Sequence, residues 1–349
     1  MFDFFIAKFL LLTTLAFIFT IAWTPLLTHF LYKYKLGKQI RDDGTTPIFT
    51  KMHAHKAGTP TMGGALIWGT VLIFSLLFFY LPKILPFDIL KNLNFLSRNQ
   101  TLLPLGCLMA SALIGLVDDF LDVKKIGHKN RGIKFSHKLI LYAIIALVGA
   151  FWFYFKLDWD VARVPFLGNF SLGWYYILFF TAVVVGTAFA VNQTDGLDGL
   201  AGGTLLISFA SYGIILFVTQ KYELASFCGV IVGSLLAFLW FNINPARFFM
   251  GDTGSISLGI TLALLALYTN TVFILPFFGF IFVIEAFSSI IQLASKKLRK
   301  GKKFFLSSPI HHHLEAIGWS EPKIVMRFWV IAGVSAGIGL IIFLIDKNL

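Results

Sequence analysis

The sequence predicts an all-α polytopic membrane protein of about ten transmembrane helices, with both termini outside and its basic loops in the cytoplasm. Three observations carry this. Hydrophobic residues make up 57% of the 349 residues and charged ones 13%, against about a quarter charged in soluble domains. Mean hydropathy is +0.81. The apolar residues fall into runs of about 20, the length that crosses a bilayer as a helix. A chain this apolar cannot cover a water-facing surface, which excludes a soluble enzyme, a disordered chain and a disulfide scaffold. Cys107 and Cys228 lie inside apolar runs and form no CxxC pair, as expected of small core side chains.

The elements follow in order. Residues 9–28 carry no charge and lack the basic leader of a signal peptide, so they are read as a retained helix. Further spans are expected near 61–81, 100–118, 138–156, 173–191, 200–219, 223–241 and 255–269. Residues 253–284 hold no charge but exceed one helix, so a break is placed near Asn270 and a ninth span at 272–295. The tenth is 327–345. The spans and short loops form a single integral membrane domain over 1–349, with no clear repeat.

Ten spans put both termini on one side. Lys and Arg number six around 33–60, six around 119–138, none in 192–199, one in 242–254 and eight around 296–327, which is 21 of the 29 in the chain. The positive-inside rule places these loops in the cytoplasm. Much of the net charge of +12 is thereby topological, and no nucleic-acid partner is required.

Carboxylates near a bilayer are expensive and usually functional. Five lie at the expected cytoplasmic ends of different helices: Asp118, Asp119, Asp195, Asp198 and Asp252. Gathered in one cleft they would repel each other unless a cation sat among them. Oxygen ligands favour Mg²⁺, which binds one or two carboxylates with phosphate oxygens and water. This points to phosphoryl chemistry at the membrane surface. Asp118-Asp119 alone also reads as a solvated helix end. In the 192–199 segment, Asp195 and Asp198 are three apart and would face one way on a helical turn; the plain alternative is a capping loop. Gly251-Asp252-Thr253-Gly254 reads as an anion-cradling turn at a helix N-terminus or as an ordinary turn. Lys56 with the following GTPTMGG could hold a phosphate, or Thr59 or Thr61 could simply cap the second helix. His311, His312 and His313 cannot all reach one ion from adjacent positions, so hydrogen bonding to phosphate or nucleotide is favoured over zinc. The basic run 296–303 reads as an anchor to anionic lipid heads.

Together these pieces resemble the phospho-N-acetylmuramoyl-pentapeptide transferases. The resemblance rests on GTPTMGG at 58–64, Asp118-Asp119, NQTDGLDGL at 192–200, WFN at 240–242, FMGDTGS at 249–255, Glu285, Gln292, PIHHH at 309–313, Gly318-Trp319 and Arg327-Phe328-Trp329. It implies ten helices, a cytoplasmic active site in the bacterial inner membrane, Mg²⁺ dependence and, often, a homodimer. The implied reaction moves phospho-MurNAc-pentapeptide from UDP-MurNAc-pentapeptide to undecaprenyl phosphate, giving lipid I and UMP. By the same resemblance Asp252 is the metal ligand and Asp118 the base or nucleophile, and Asp119 orients it or shares the metal. One-step attack and a covalent aspartyl intermediate both remain open. Asn192, Asp195 and Asp198 match the polar wall, Asn242 is a further substrate-binding candidate, and Phe249 would stack on uracil. Gln292 and His311 to His313 would face nucleotide or sugar-peptide, and Lys56 and Thr61 an anion. Lys138 joins them as a substrate-binding candidate.

The chain departs from that pattern at Asp122, where a lysine is usual, at Phe189, where an asparagine is usual, and at Gln193, where a leucine is usual. If the helix bearing Asp118 continues, Lys125 lies two turns beyond it on the same face, and is expected to supply the missing cation. Two rivals remain: a sister transferase using a UDP-N-acetylhexosamine, and a transporter, which would instead place its polar groups near the bilayer midplane.

Overall fold

The computed structural model describes residues 2–37, 53, 56–85, 87–128 and 132–347. Lys38, Arg41, Lys51, Lys129 and Arg131, counted above as cytoplasmic charges, lie outside the described residues. The chain is helical almost throughout. In order, the helices are α1 (Phe2–Lys33), α2 (Ala65–Ile84), α3 (Asp88–Leu93), α4 (Leu102–Val123), α5 (Phe135–Phe151), α6 (Tyr175–Thr194), α7 (Leu200–Val218), α8 (Tyr222–Asn242), α9 (Asp252–Tyr268), α10 (Leu275–Phe278), α11 (Phe280–Leu298), α12 (Ile310–Ala316) and α13 (Glu321–Lys347). A π-helical turn, Trp152–Lys156, extends α5. Between α5 and α6 a hairpin pairs β1 (Val161–Val164) with β2 (Gly168–Ser171), Val161 opposite Ser171.

Among the described residues, eight helices are long and apolar enough to cross a membrane. The other two expected spans are shorter or less uniform. α9 has 17 residues. The ninth is broken at Gly279 into α10 and α11, and α11 ends in Lys296 and Lys297. The break near Asn270 is where it was expected, and Asn270 takes a left-handed backbone (φ 54°). α9 packs against α4 and α6, and α8 against α1 and α7. Both carry almost wholly buried side chains because other helices surround them. Many serines and threonines inside the bundle return their hydroxyls to the carbonyl one turn back, as Ser257 does to Thr253 and Thr261 to Ser257, so those two add no unmet polar group.

The two ends of the bundle sort as alternating loops require. One end gathers Arg163, Val218, Asn270 and Asp346: Asp346 accepts from Arg163 Nε (2.6 Å) and from Phe166 N–H (2.8 Å). Lys347 reaches Val218 O, and Asn270 accepts from Arg163 N–H. The other end gathers the motifs.

Candidate active site

The site is built around the N-terminus of α9. Glycines let two helices reach it. A Cβ at Gly64 would collide with the Gly254 backbone, and one at Gly115 would lie 2.6 Å from Thr253 Cα. α2 and α4 therefore approach α9 at backbone distance. Gly251 turns into the helix with φ 75°, a conformation that disfavours any side chain. Asp119, from α4, accepts from the Asp252 and Thr253 N–H groups, both at 3.1 Å. It caps α9 from a neighbouring helix, satisfying two of the four donors left open at a helix start. Asp195 does similar work, accepting from Gly251 N–H.

Asp118 and Asp252 face one another across a single lysine, Lys138 of α5. Its ammonium is paired with Asp118 and lies 2.8 Å from Asp252 Oδ2. Asp118 Oδ1 accepts from Ile133 N–H at 2.7 Å. Asp252 Oδ1 accepts from Asn192 Nδ2 at 2.9 Å, and that amide also reaches Ser255. Two carboxylates thus share one cation. The donors are all oxygens, hard and anionic, and their convergence on an ammonium shows that the spot favours positive charge. The set fits Mg²⁺.

A second cluster lies beside it. Lys56, buried, is 2.6 Å from both Asp198 Oδ1 and Glu321 Oε1. Asn244 donates to Asp198 and Glu321, and Asp198 N–H to Glu321. Lys56 also lies over the half-buried Phe249 ring, 5.9 Å from its centroid. Thr61 sits against Gly251, whose Cβ would lie 2.7 Å from the Thr61 hydroxyl.

The third cluster holds the histidines. His311 Nδ1 is 2.8 Å from Glu285, and His312 Nδ1 2.7 Å from Glu315. His53, 262 residues away, also reaches Glu315 at 3.1 Å. Burial and the neighbouring His311 push the His312 imidazole down to about 3, despite its bond to Glu315. Burial would raise Glu315, but the hydrogen bonds of His312 and His53 outweigh it and hold the carboxyl at about 2. At neutral pH the histidine is neutral and the glutamate ionised. The ligand atoms of His53, His312 and Glu315 lie within 4.8 Å of one another. That nitrogen-rich set suits a transition metal rather than Mg²⁺, so the Mg²⁺ assignment rests on Asp118 and Asp252 instead.

Several expectations are corrected. Lys125 does not continue the helix: α4 ends at Val123, and Lys125 is exposed with φ 56°. The cation between the aspartates is Lys138. Asp195 and Asp198 do not face one way. Asp195 ends α6 and Gly199 turns left-handed, so the two carboxylates meet different partners. Neither Thr59 nor Thr61 caps α2, whose N-cap is Gly64. Asn242 and Gln292 hold backbone here. Asn242 bonds Gly199 N–H and Phe248 O, and Gln292 bonds Phe304 and Phe305. His313 Nδ1 accepts from Leu306 N–H at 3.3 Å. The sequence reading missed His53, Glu315 and Glu321; the only signal was that each is a rare charged or imidazole group in an apolar chain.

Carboxylates, amides and cations drawn from eight helices to one end of a membrane bundle are the marks of a membrane transferase acting on anionic substrates. Residues 101–270 match the sequence model described as Glycosyl transferase family 4, and that is the class. Residues 56–67 match signature 1 of the phospho-N-acetylmuramoyl-pentapeptide-transferases. The chain is 37% identical to the phospho-N-acetylmuramoyl-pentapeptide-transferase of Chloroflexus aggregans over 97% of its own length and 90% of the relative's. It is 38% identical to that of Listeria monocytogenes over 92% of this chain and 94% of the relative, and 36% identical to that of Desulfotalea psychrophila over 91% and 87%. The chain belongs to the phospho-N-acetylmuramoyl-pentapeptide-transferase family.

Proposed function

We propose that this chain transfers phospho-MurNAc-pentapeptide from UDP-MurNAc-pentapeptide to undecaprenyl phosphate in peptidoglycan synthesis, releasing UMP and forming lipid I. The observation that carries the reading is the pairing of Asp118 and Asp252 across Lys138 at the start of α9, within a chain similar to these transferases over nearly its whole length. In the reaction an oxygen of the lipid phosphate forms a bond to the sugar-bearing phosphorus of the nucleotide. The bond from that phosphorus to the bridging oxygen breaks, and UMP leaves with the electron pair.

Asp252 and Asp118 would hold Mg²⁺. When bound, the ion screens the approach of one phosphate to another and stabilises charge on the leaving UMP. The chain's own residues do the rest. Asn192 fixes the Asp252 carboxylate through Oδ1, and Ile133 N–H fixes Asp118 through Oδ1. Both carboxylates are thus held before substrate arrives, which removes reorganisation from the chemical step. Lys138 neutralises part of their charge and is placed to follow a phosphate oxygen. Asp119 keeps the α9 N-terminus at backbone distance from the aspartates.

The site faces the cytoplasm of a bacterial inner membrane in this reading, supported by the distribution of Lys and Arg. A homodimer is part of the same proposal and is supported by the family resemblance. The test is incubation of the purified protein with undecaprenyl phosphate and each UDP-sugar, following UMP. Release from UDP-MurNAc-pentapeptide is expected; release from UDP-N-acetylglucosamine alone would overturn the assignment in favour of the sister transferases.

A further inference from the structure

We propose that Glu321, the first residue of α13, is a positioning residue for the nucleotide-sugar side of the site: it fixes the Asp198–Gly199 turn and the Lys56 ammonium relative to one another. A helix that supplies nothing to the aspartate pair thereby sets how tightly the nucleotide-sugar is held. The inference rests on the transferase reading and deepens it. Glu321 Oε1 accepts from Asp198 N–H and from Lys56 Nζ, both at 2.6 Å. Its Oε2 accepts from Asn244 Nδ2 at 3.3 Å. Three segments far apart in sequence thus meet on one carboxylate, whose side chain is 10% exposed.

The same helix grips the turn a second time. Trp329 Nε1 donates to Gly199 O at 3.2 Å. The indole reaches that carbonyl because residue 203 is glycine: a Cβ there would lie 2.1 Å from Trp329 Nε1. Leu197 and Leu200 share an apolar cluster with Ile324, Val325 and Phe328 of α13, beside Trp329. The turn thus lays its leucines on α13, while the Asp198 carboxylate meets Lys56, Asn244 and Ala246 N–H. Asp195, at the head of the turn, accepts from Gly251 N–H, which carries the grip to the edge of the α9 start. The aspartate pair has supports of its own: Asn192 on Asp252, Ile133 N–H on Asp118, and Lys138 on both. Without Glu321 the buried Asp198 N–H and Lys56 would turn to other acceptors. The wall would shift while the aspartates stay in place.

The experiment uses the purified full-length protein, with UDP-MurNAc-pentapeptide and undecaprenyl phosphate each varied in turn and UMP followed. Glu321→Met has similar length but no acceptor. It should raise KM for the nucleotide-sugar at least about tenfold while kcat and the lipid KM change by less than about threefold. Glu321→Gln keeps an acceptor for both donors and should stay within about threefold of wild type. Glu321→Met combined with Lys56→Met should raise that KM by clearly less than the product of the two single effects, because both act on one cluster. Trp329→Phe removes a single N–H and keeps an aromatic ring. It should raise the same KM about fivefold while kcat changes by less than about twofold, and it decides alone if the Met variant does not fold. An unchanged KM, equal damage from Gln and Met, a double variant as bad as the product, or a loss confined to kcat would overturn the proposal. Equal rises in both substrates' KM would make Glu321 a general support of the bundle and overturn it too. Wild type releasing no UMP from this substrate overturns the transferase reading and this inference together, whereas the other outcomes leave that reading standing.

Discussion

The two ends of the bundle handle charge in opposite ways. At one end Asp346 meets Arg163 one to one, and Phe166 N–H takes its second oxygen. At the other, Asp118 and Asp252 share Lys138, and Asp198 and Glu321 share Lys56. A closed pair joins two segments and asks for nothing more. A cluster in which carboxylates outnumber cations is held together by the fold and gains from a further cation. The comparison separates polar groups that fasten the chain from groups that await a ligand.

The largest effect that would sharpen this contrast is loss of Asp252. Asp252→Ala should abolish transfer, by about a thousandfold or roughly 4 kcal/mol, while the thermal transition stays near wild type. Near-normal UMP release with unchanged Mg²⁺ dependence would remove Asp252 from the site. Lys138→Met should come next. It leaves two facing carboxylates without their shared cation and should slow turnover about a hundredfold, or roughly 2.7 kcal/mol; a silent variant would break the distinction between the two ends.

A smaller effect is expected from acid at the histidine cluster. His312 and Glu315 both titrate below their ordinary values in the folded protein, to about 3 and about 2. The unfolded state binds their protons first, so stability is fully present above about pH 6.5 and falls as pH drops towards 3. Hydrogen exchange across α12 should quicken over that window, and exchange independent of pH there, after correction for intrinsic rates, would contradict the assignment. Lys125→Ala should change activity by less than about twofold, since the side chain is exposed and off the helix; a tenfold loss would revive it as the phosphate cation. Smallest of all, Arg163→Ala should leave turnover unchanged and cost at most about 1 kcal/mol in stability. A drop in UMP release would show that the Arg163–Asp346 end is not merely a fastening.

The helices were legible because an uninterrupted apolar run has few other solutions in a bilayer. The break at Asn270 was legible from length alone. The hairpin was not, since four-residue strands in a connecting loop carry no period worth reading. At the site, the sequence brought Asp118, Asp119, Asp195, Asp198 and Asp252 forward as rare carboxylates beside loops. It could not divide their labour. Asp119 and Asp118 are adjacent, yet one caps α9 and the other meets Lys138, a split set by which side of α4 each occupies. Lys125 was chosen by extrapolating a helix that stops two residues short of it. Glu315 and Glu321 were invisible because the groups they hold, His53 and Lys56, are more than 260 residues away.

The shortness of α9 has a consequence of its own. Seventeen residues rise about 25 Å, less than the roughly 30 Å of hydrocarbon in a typical bilayer. A helix of that length cannot bring both of its ends to the two water surfaces. Its far end is held inside the bundle, where Thr269 and Thr271 share a hydrogen bond and Thr271 donates to the Tyr212 hydroxyl of α7; a bilayer whose surface meets that end would leave the start, bearing Asp252, recessed at the other. In the proposed reaction the floor of the site then lies at the depth of a lipid headgroup. The polyprenyl chain can stay in the membrane while its phosphate reaches the aspartates from the side, and it is the soluble nucleotide that must descend.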